Sequence, residues 1–208
     1  MEADLQALGA RVESALADAM ASLAGRDLAL ADRVVRGDLE VNRLRYQLED
    51  QASAALAATE DPGGVRTLVA ALYVLADLER MGDHAEGIAK VALMLGPTPR
   101  LAVPAVILEM GAGVRSIVTR TLRALADQDV ALARALCAED DEVDALYDRA
   151  YSELLSLMAA DRRQVAEATY LVWVTHNLER IADRATNICE RVVYLVTGRV
   201  EELNVSKY

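Results

Sequence analysis

The chain repeats itself. Asp27-Leu-Ala-Leu-Ala returns as Asp129-Val-Ala-Leu-Ala, and Asp38-Leu-Glu-Val-Asn returns as Asp140-Asp-Glu-Val-Asp, each 102 residues further on. Leu78-Glu79-Arg80-Met81-Gly82-Asp83 returns as Leu178-Glu179-Arg180-Ile181-Ala182-Asp183 after 100 residues. The slip of two falls in a loop between helices, where a change of length costs little. A period near 100 residues in a chain of 208 is a domain duplication, since solenoid repeats are shorter. Whatever one half folds into, the other half must also fold into.

That unit is helical. Leu5, Leu8, Val12, Leu16, Met20 and Leu23 recur at spacings of three and four, which is one face of an amphipathic helix. Gly25 and Asp27 punctuate it, with Asp27 the expected N-cap of a second helix that turns Leu30, Val34, Leu44 and Leu48 inward. Asp61-Pro62 reads as the N-cap and first position of a third helix. That helix runs to about Leu95, where Gly96, Pro97 and Pro99 stop it. Pro97 to Pro104 is the boundary between halves, and the second half opens with a helix from about Val103 to Ala126.

Ala and Leu supply much of the 53% hydrophobic content, there is no Phe, and almost nothing alternates with period two. The expected fold is all-α: two tandem, pseudo-symmetric three-helix bundles of long antiparallel helices. They occupy residues 1–97 and 98–198, followed by a charged tail at 199–208. A single irregular six-helix bundle is the alternative.

A net charge of −11, from 33 acidic and 22 basic residues, argues against nucleic acid or anionic lipid as a partner. It is compatible with a bound cation, with a basic protein partner, or simply with solubility. Asp and Glu interrupt the first turns, so no N-terminal segment reads as a signal peptide. The longest strongly apolar run, Leu68 to Ala76, falls short of the roughly 20 residues a membrane span needs. Cys137 and Cys189 suggest neither a disulfide framework nor a metal-ligand pair, as expected of reduced thiols in the cytoplasm.

The informative chemistry lies in acidic residues four apart. Glu79 with Asp83, Glu179 with Asp183, and Asp140 with Asp144 each share a helix face one turn apart, and Asp38 with Asn42 is a fourth pair missing one acid. Two like charges so placed cost an isolated helix roughly 0.2–0.5 kcal/mol. A solvated acidic face therefore suffices as an explanation, with Arg80 and Arg180 beside the glutamates to balance them. If neighbouring helices bring the pairs together, their oxygens form a donor set for hard cations such as Mg²⁺, Ca²⁺, Mn²⁺ or Fe³⁺. A di-iron centre would want Glu-x-x-His on two helices, and neither His84 nor His176 follows a glutamate by three. His84 reads as a bundle-edge histidine. No Ser/His/Asp arrangement and no glycine-rich loop after a strand stands out, so no catalytic centre is expected.

Asp77-Leu-Glu-Arg-Met-Gly-Asp-His-Ala, followed by Ile88-Ala-Lys, resembles the signature of the PhoU family. Leu178-Glu-Arg-Ile-Ala-Asp-Arg-Ala-Thr-Asn-Ile resembles its second copy, and the likeness covers nearly the whole chain. The resemblance implies tandem three-helix bundles and a cytoplasmic, non-enzymatic negative regulator of the phosphate regulon. It implies two partners, the ATPase subunit of the phosphate ABC transporter and the sensor histidine kinase that reads phosphate supply. It further implies metal ions held through Glu/Asp-x-x-x-Asp motifs, by Asp38, Glu79 and Asp83 in the first bundle and by Asp140, Asp144, Glu179 and Asp183 in the second.

Three positions depart from the pattern. Asn42 replaces an acid, Asn177 stands where the first copy has Asp77, and Arg184 stands where it has His84. The second set thus counts four acids against three, while Arg184, one residue from Asp183, is expected to neutralise part of it. Two other readings stay open: a metal-storage or redox bundle working through bound iron, and a PhoU-like paralogue serving another transporter. Apolar residues exposed on such Ala-rich helices are also compatible with a homodimer.

Overall fold

The computed structural model describes residues 2–203. Its helices are α1 (Glu2–Gly25), α2 (Leu28–Ala58), α3 (Pro62–Leu95), α4 (Ala105–Asp127), α5 (Val130–Ala160) and α6 (Val165–Thr197), with a 3₁₀ turn at Arg162–Gln164. There is no strand among the described residues, and none of their helices is long and apolar enough to cross a membrane. At 31 to 34 residues, α2, α3, α5 and α6 are each about 45–50 Å long.

The duplication reaches down to the backbone of the turns. Asp27 accepts a hydrogen bond from the Leu30 amide at 2.9 Å, and Asp129 accepts the matching bond from Leu132 at 2.9 Å. Just before each cap, Arg26 and Gln128 adopt left-handed conformations, with φ of 55° and 51°. The amides of Asp27 and Asp129 then reach back to the carbonyls of Ser22 and Ala124, at 3.0 and 2.9 Å. These bonds end α1 and α4 in the same manner, by satisfying carbonyls left over at a helix terminus. Gly96 and Gly198 close α3 and α6 with φ of 71° and 72°, where a side chain would be strained. Asp61 caps α3 by accepting from Gly64 N at 2.6 Å, with Pro62 in the first turn.

Within each half the three helices pack on one another, α1 with α2 and α3, and α4 with α5 and α6. The halves are not parted by a cleft. α3 packs on α6 as extensively as on α2, and one apolar core runs through both halves from Leu8 and Val12 to Ile181 and Ile188. The α3–α6 contact is antiparallel, since Asp77 meets Arg184 and Asn187 while His84 meets Asn177.

α1 and α4 also meet antiparallel, and two glycines set how closely. A Cβ on Gly9 would stand 2.6 Å from Leu122 Cδ2, and one on Gly111 would press on Met20. The two contacts are equivalent under the duplication, because Gly9 matches Gly111 and Met20 matches Leu122. The neighbours are the flexible ends of side chains, so a methyl can be absorbed but a branched chain cannot. Gly9→Ala is expected to stay within about 1 kcal/mol of the parent, helix propensity offsetting the crowding. Gly9→Val is expected to destabilise by about 1–3 kcal/mol. Urea unfolding of both variants measures the difference.

Candidate functional site

The sequence-predicted acids fall into two patches, one per half. In the first, Asp38 on α2 feels the charges of Glu79, Asp83 and Glu86 on α3. Asn42, one turn along α2, donates to Asp38 Oδ2 at 2.6 Å, which leaves Asp38 Oδ1 buried without a hydrogen-bond partner. A Cβ on Gly82 would lie 3.1 Å from Val41 Cγ1 and 3.4 Å from Asp38 Oδ1, so this glycine lets α2 settle close to α3. Burial pushes the Asp38 carboxyl up to about 6, and repulsion from Glu86, Asp83 and Glu79 adds to it while Lys90 opposes.

Glu86 was missed in the sequence because its counterpart in the second copy is Thr186. Its signal was nevertheless present. Positions 79, 83 and 86 are spaced by four and three, which is one helix face. With Glu86 the first patch holds four acids, equal to the second.

In the second patch Glu179 on α6 feels Asp183 on its own helix and Asp144 and Asp140 on α5. Asp140 is 5% exposed. Burial and Asp183 push the Glu179 carboxyl up to about 7, against the pull of Arg180. Arg180 straddles the pair, with Nε 3.0 Å from Glu179 Oε2 and Nη1 donating to Asp183 Oδ2 at 2.8 Å. The first of these is an ion pair without hydrogen-bond alignment, and His176 Nδ1 stands 3.6 Å from the same oxygen, so Glu179 Oε2 is buried beside two nitrogens but accepts no hydrogen bond. Arg80 sits likewise in the first patch, 3.6 Å from Glu79 and 3.4 Å from Asp83. The arginine inside each repeated motif thus balances its own two acids.

Arg184 does not act as the sequence suggested. It turns away from Asp183 and across the seam between the halves, where its Nη1 lies 3.4 Å from Asp77 Oδ1 and Asn187 donates to the same oxygen at 3.2 Å. The related position holds His84 Nδ1 against Asn177 Oδ1 at 2.9 Å. His84 is therefore a seam residue and not a bundle-edge one. The duplication has produced one charged contact, Asp77 with Arg184, and one neutral contact, Asn177 with His84. Gly87, whose Cβ would come within 3.0 Å of Asn177 Oδ1, stands where the charged contact has Asn187.

The patches differ in access. The first adjoins a cleft of about 270 Å³ whose lining includes Arg11, Ser14, Asp18, Arg33, Gly37 and Asp38. The matching cleft of the second half, lined by Gly113, Ser116, Glu139 and Val143, is smaller, about 150 Å³. There the places of Asp18 and Gly37 belong to Arg120 and Glu139, which form a two-pronged ion pair at 2.6 and 2.8 Å. Among the described residues no group of three or more Asp, Glu, His or Cys side chains is gathered closely enough to hold a metal ion. The two unmet carboxylate oxygens and the all-oxygen donor sets are the features that suit a hard cation.

The family model for the PhoU domain matches the chain twice, at residues 5–92 and 107–192. The chain belongs to the PhoU family. A Clostridium acetobutylicum relative, a phosphate-specific transport system accessory protein PhoU homologue, is 32% identical over 207 residues, covering 98% of this chain and 94% of its own. A Caulobacter vibrioides protein of the same description is 37% identical over 205 residues, covering 98% and 88%. The crystal structure of PhoU from Pseudomonas aeruginosa superposes with a TM-score of 0.90 at 32% identity over 95% of each chain. That of the phosphate transport system regulatory protein PhoU from Streptococcus pneumoniae gives 0.89 at 28% identity, over 97% of this chain and 95% of that one. The PhoU family is one of regulatory proteins and not of enzymes.

The raised carboxyls make stability depend on pH. A carboxyl with a higher pKa folded than unfolded binds extra proton in the folded state, so stability falls as pH rises between the two values. The window runs from 3.8 to about 6 for Asp38 and from 4.5 to about 7 for Glu179. Asp38→Asn and Glu179→Gln, which imitate the protonated forms, are expected to match the parent near the bottom of these windows. Above them each should exceed it by about 1 kcal/mol, a figure discounted for partial solvation. Urea unfolding across this range reads the divergence, and variants less stable than the parent at the upper end would reverse the sign.

Proposed function

We propose that this PhoU-family chain is a cytoplasmic regulatory adaptor of phosphate uptake. It bridges the ATPase subunit of a phosphate ABC transporter and a phosphate-sensing histidine kinase, and so exerts negative control on the phosphate regulon. The observation that carries this reading is the pair of equivalent acidic patches, one in each half. A duplicated body with one charged surface per half suits a protein that engages two partners at once, and rim charges of this kind steer association and register. The similarity to phosphate-specific transport system accessory proteins of Clostridium acetobutylicum and Caulobacter vibrioides supports phosphate uptake as the system it serves. Residues 1–97 and 98–198 are taken as the two docking units.

Immobilised chain, mixed with purified transporter ATPase and purified kinase cytoplasmic region, is expected to retain both, with retention falling as salt is raised. Retention of neither, at high or low phosphate, would overturn the proposal.

The acids also support a second role, as holders of a hard cation. Asp38, Glu79 and Asp83 would bind it in the first half, and Asp140, Asp144, Glu179 and Asp183 in the second. The bound ion would meet the unmet oxygens of Asp38 and Glu179 and offset the repulsion that raises their carboxyls. Mg²⁺, Mn²⁺ or Fe³⁺ is expected to raise the melting midpoint of the chelator-stripped protein. The rise should disappear in the Asp38→Asn, Glu179→Gln double variant. Elemental analysis of the protein after exposure to each ion, showing no retained metal, would remove this role and leave the adaptor reading intact.

A further inference from the structure

The second half holds a group of side chains that the first half lacks and that the acid patches do not use. Cys137 on α5 and Cys189 on α6 are free thiols, 6% and 1% exposed. Both belong to one small buried cluster formed where α4, α5 and α6 meet. Cys137 Sγ also reaches the carbonyl of Thr186, one turn before Cys189, at 3.9 Å, and the Thr121 hydroxyl of α4 lies 3.5 Å from Cys189 Sγ. The corresponding places in the first half hold Val35, Ala89 and Ala19. Plain apolar residues meet the packing requirement there, so packing alone does not call for two thiols and a hydroxyl.

The covering of this pair is also particular to it. Ala124, Ala133, Leu136, Val192 and Val193 wall it in, and Leu203 packs on the same cluster. Leu203 belongs to a non-helical strap, residues 199–203, that lies back on α5 and α6. Two contacts fasten it: the Leu203 amide donates to Glu190 Oε1 at 2.9 Å, and Arg134 Nη2 donates to Glu201 Oε2 at 2.7 Å. Partly exposed ion pairs of this sort hold weakly. Short segments with few buried contacts open locally at low free-energy cost.

We propose that Cys137 and Cys189 form a redox-responsive pair: hydrogen peroxide admitted beneath the 199–203 strap oxidises them to a disulfide that staples α5 to α6. Cys189 reacts first, as its thiolate. The neighbouring Cys137 thiol lowers its pKa, burial opposes, and the Thr121 hydroxyl lowers it further. The Cys189 sulfur attacks one peroxide oxygen and the O–O bond breaks. Cys189 is left as sulfenic acid, and the departing hydroxide takes up the proton that Cys189 had lost, giving water. The Cys137 sulfur then attacks the Cys189 sulfur, the S–O bond breaks, and the leaving oxygen carries off the Cys137 proton as a second water. Two thiols and one peroxide thus become one disulfide and two waters, the sulfurs giving up the two electrons that the peroxide accepts. A small neutral oxidant suits a site closed to bulky reagents.

The staple would act on the second patch alone. Cys137 stands one turn before Asp140, and Cys189 stands six residues beyond Asp183, so it would fix the helix pair that presents those acids.

Full-length protein treated with hydrogen peroxide and analysed by denaturing intact-mass spectrometry tests this. The expected result is the loss of two hydrogens and of both alkylatable thiols, reversed by dithiothreitol, with a melting midpoint raised by roughly 5–15 °C. Cys137→Ser and Cys189→Ser should each abolish that product. Arg134→Ala, which unfastens the strap, should speed thiol loss by up to about fivefold. Thiols that survive peroxide, or that pass to sulfinic and sulfonic acids without an intramolecular disulfide, overturn the proposal. A disulfide that leaves the midpoint unchanged overturns the staple, and an unchanged rate in Arg134→Ala overturns the strap as its cover.

Discussion

Two long helices packed antiparallel, α3 against α6, hold the two halves to each other and position both acidic patches. Both helices are hydrophobic enough to be buried on most of their circumference, with Leu78, Ile88, Leu178 and Ile188 fully enclosed. A helix with so wide an apolar surface cannot satisfy it inside one three-helix bundle and needs a further neighbour. The duplication supplies that neighbour in the form of the same helix again. What remains exposed on α3 and α6 is a narrow polar margin. The repeated Glu-Arg-x-x-Asp segments occupy that margin on both helices.

The margin is under electrostatic load. Asp38 and Glu179 are acids held among acids in partly dry surroundings, and both titrate well above their ordinary range. Arg80 and Arg180 relieve some of this repulsion, but they contact the α3 and α6 acids and leave one oxygen each of Asp38 and Glu179 without a hydrogen bond. Buried polar atoms without partners are uncommon in folded proteins, and where they occur they often mark a site of function. Asp38 on α2 and Glu179 on α6 do not correspond under the duplication, so each half reaches its unpartnered carboxylate oxygen in its own way, and the Nε atoms of Arg45 and Arg184 share the condition. The halves also diverge in their surroundings, with a cleft of about 270 Å³ beside Asp38 and a matching one of about 150 Å³ beside the Arg120–Glu139 ion pair.

The helices were legible in the sequence because their ends are governed by local chemistry. Asp27, Asp61 with Pro62, and Gly96 each act on the residues beside them, so a reader of the chain needs no tertiary knowledge to place them. The pairing of Asp38 with the Glu79 motif was legible for a different reason: both recur in register in the second half. Features without a recurring copy escaped. Glu86 has threonine as its counterpart, and the pair Cys137 and Cys189 has Val35 and Ala89. Arg184 was misjudged because its partner, Asp77, lies 107 residues away in the chain. Neighbourhood in sequence pointed instead to Asp183, whose side chain is already occupied by Arg180.

The unlike contacts along the seam also say how the copies have drifted apart. Each copy contributes one face to its neighbour and receives one in return, so two identical copies would meet with identical contacts. Two first halves would set Asp77 against His84 on both sides. Two second halves would set Arg184 against Asn177 on both sides, leaving two half-buried guanidiniums with no carboxylate between them. The observed pairing puts acid and arginine on one side and two uncharged groups on the other, a division available only to unlike copies. Joining two unlike copies in one chain therefore confines the charge of the seam to a single side, where Asp77 meets Arg184.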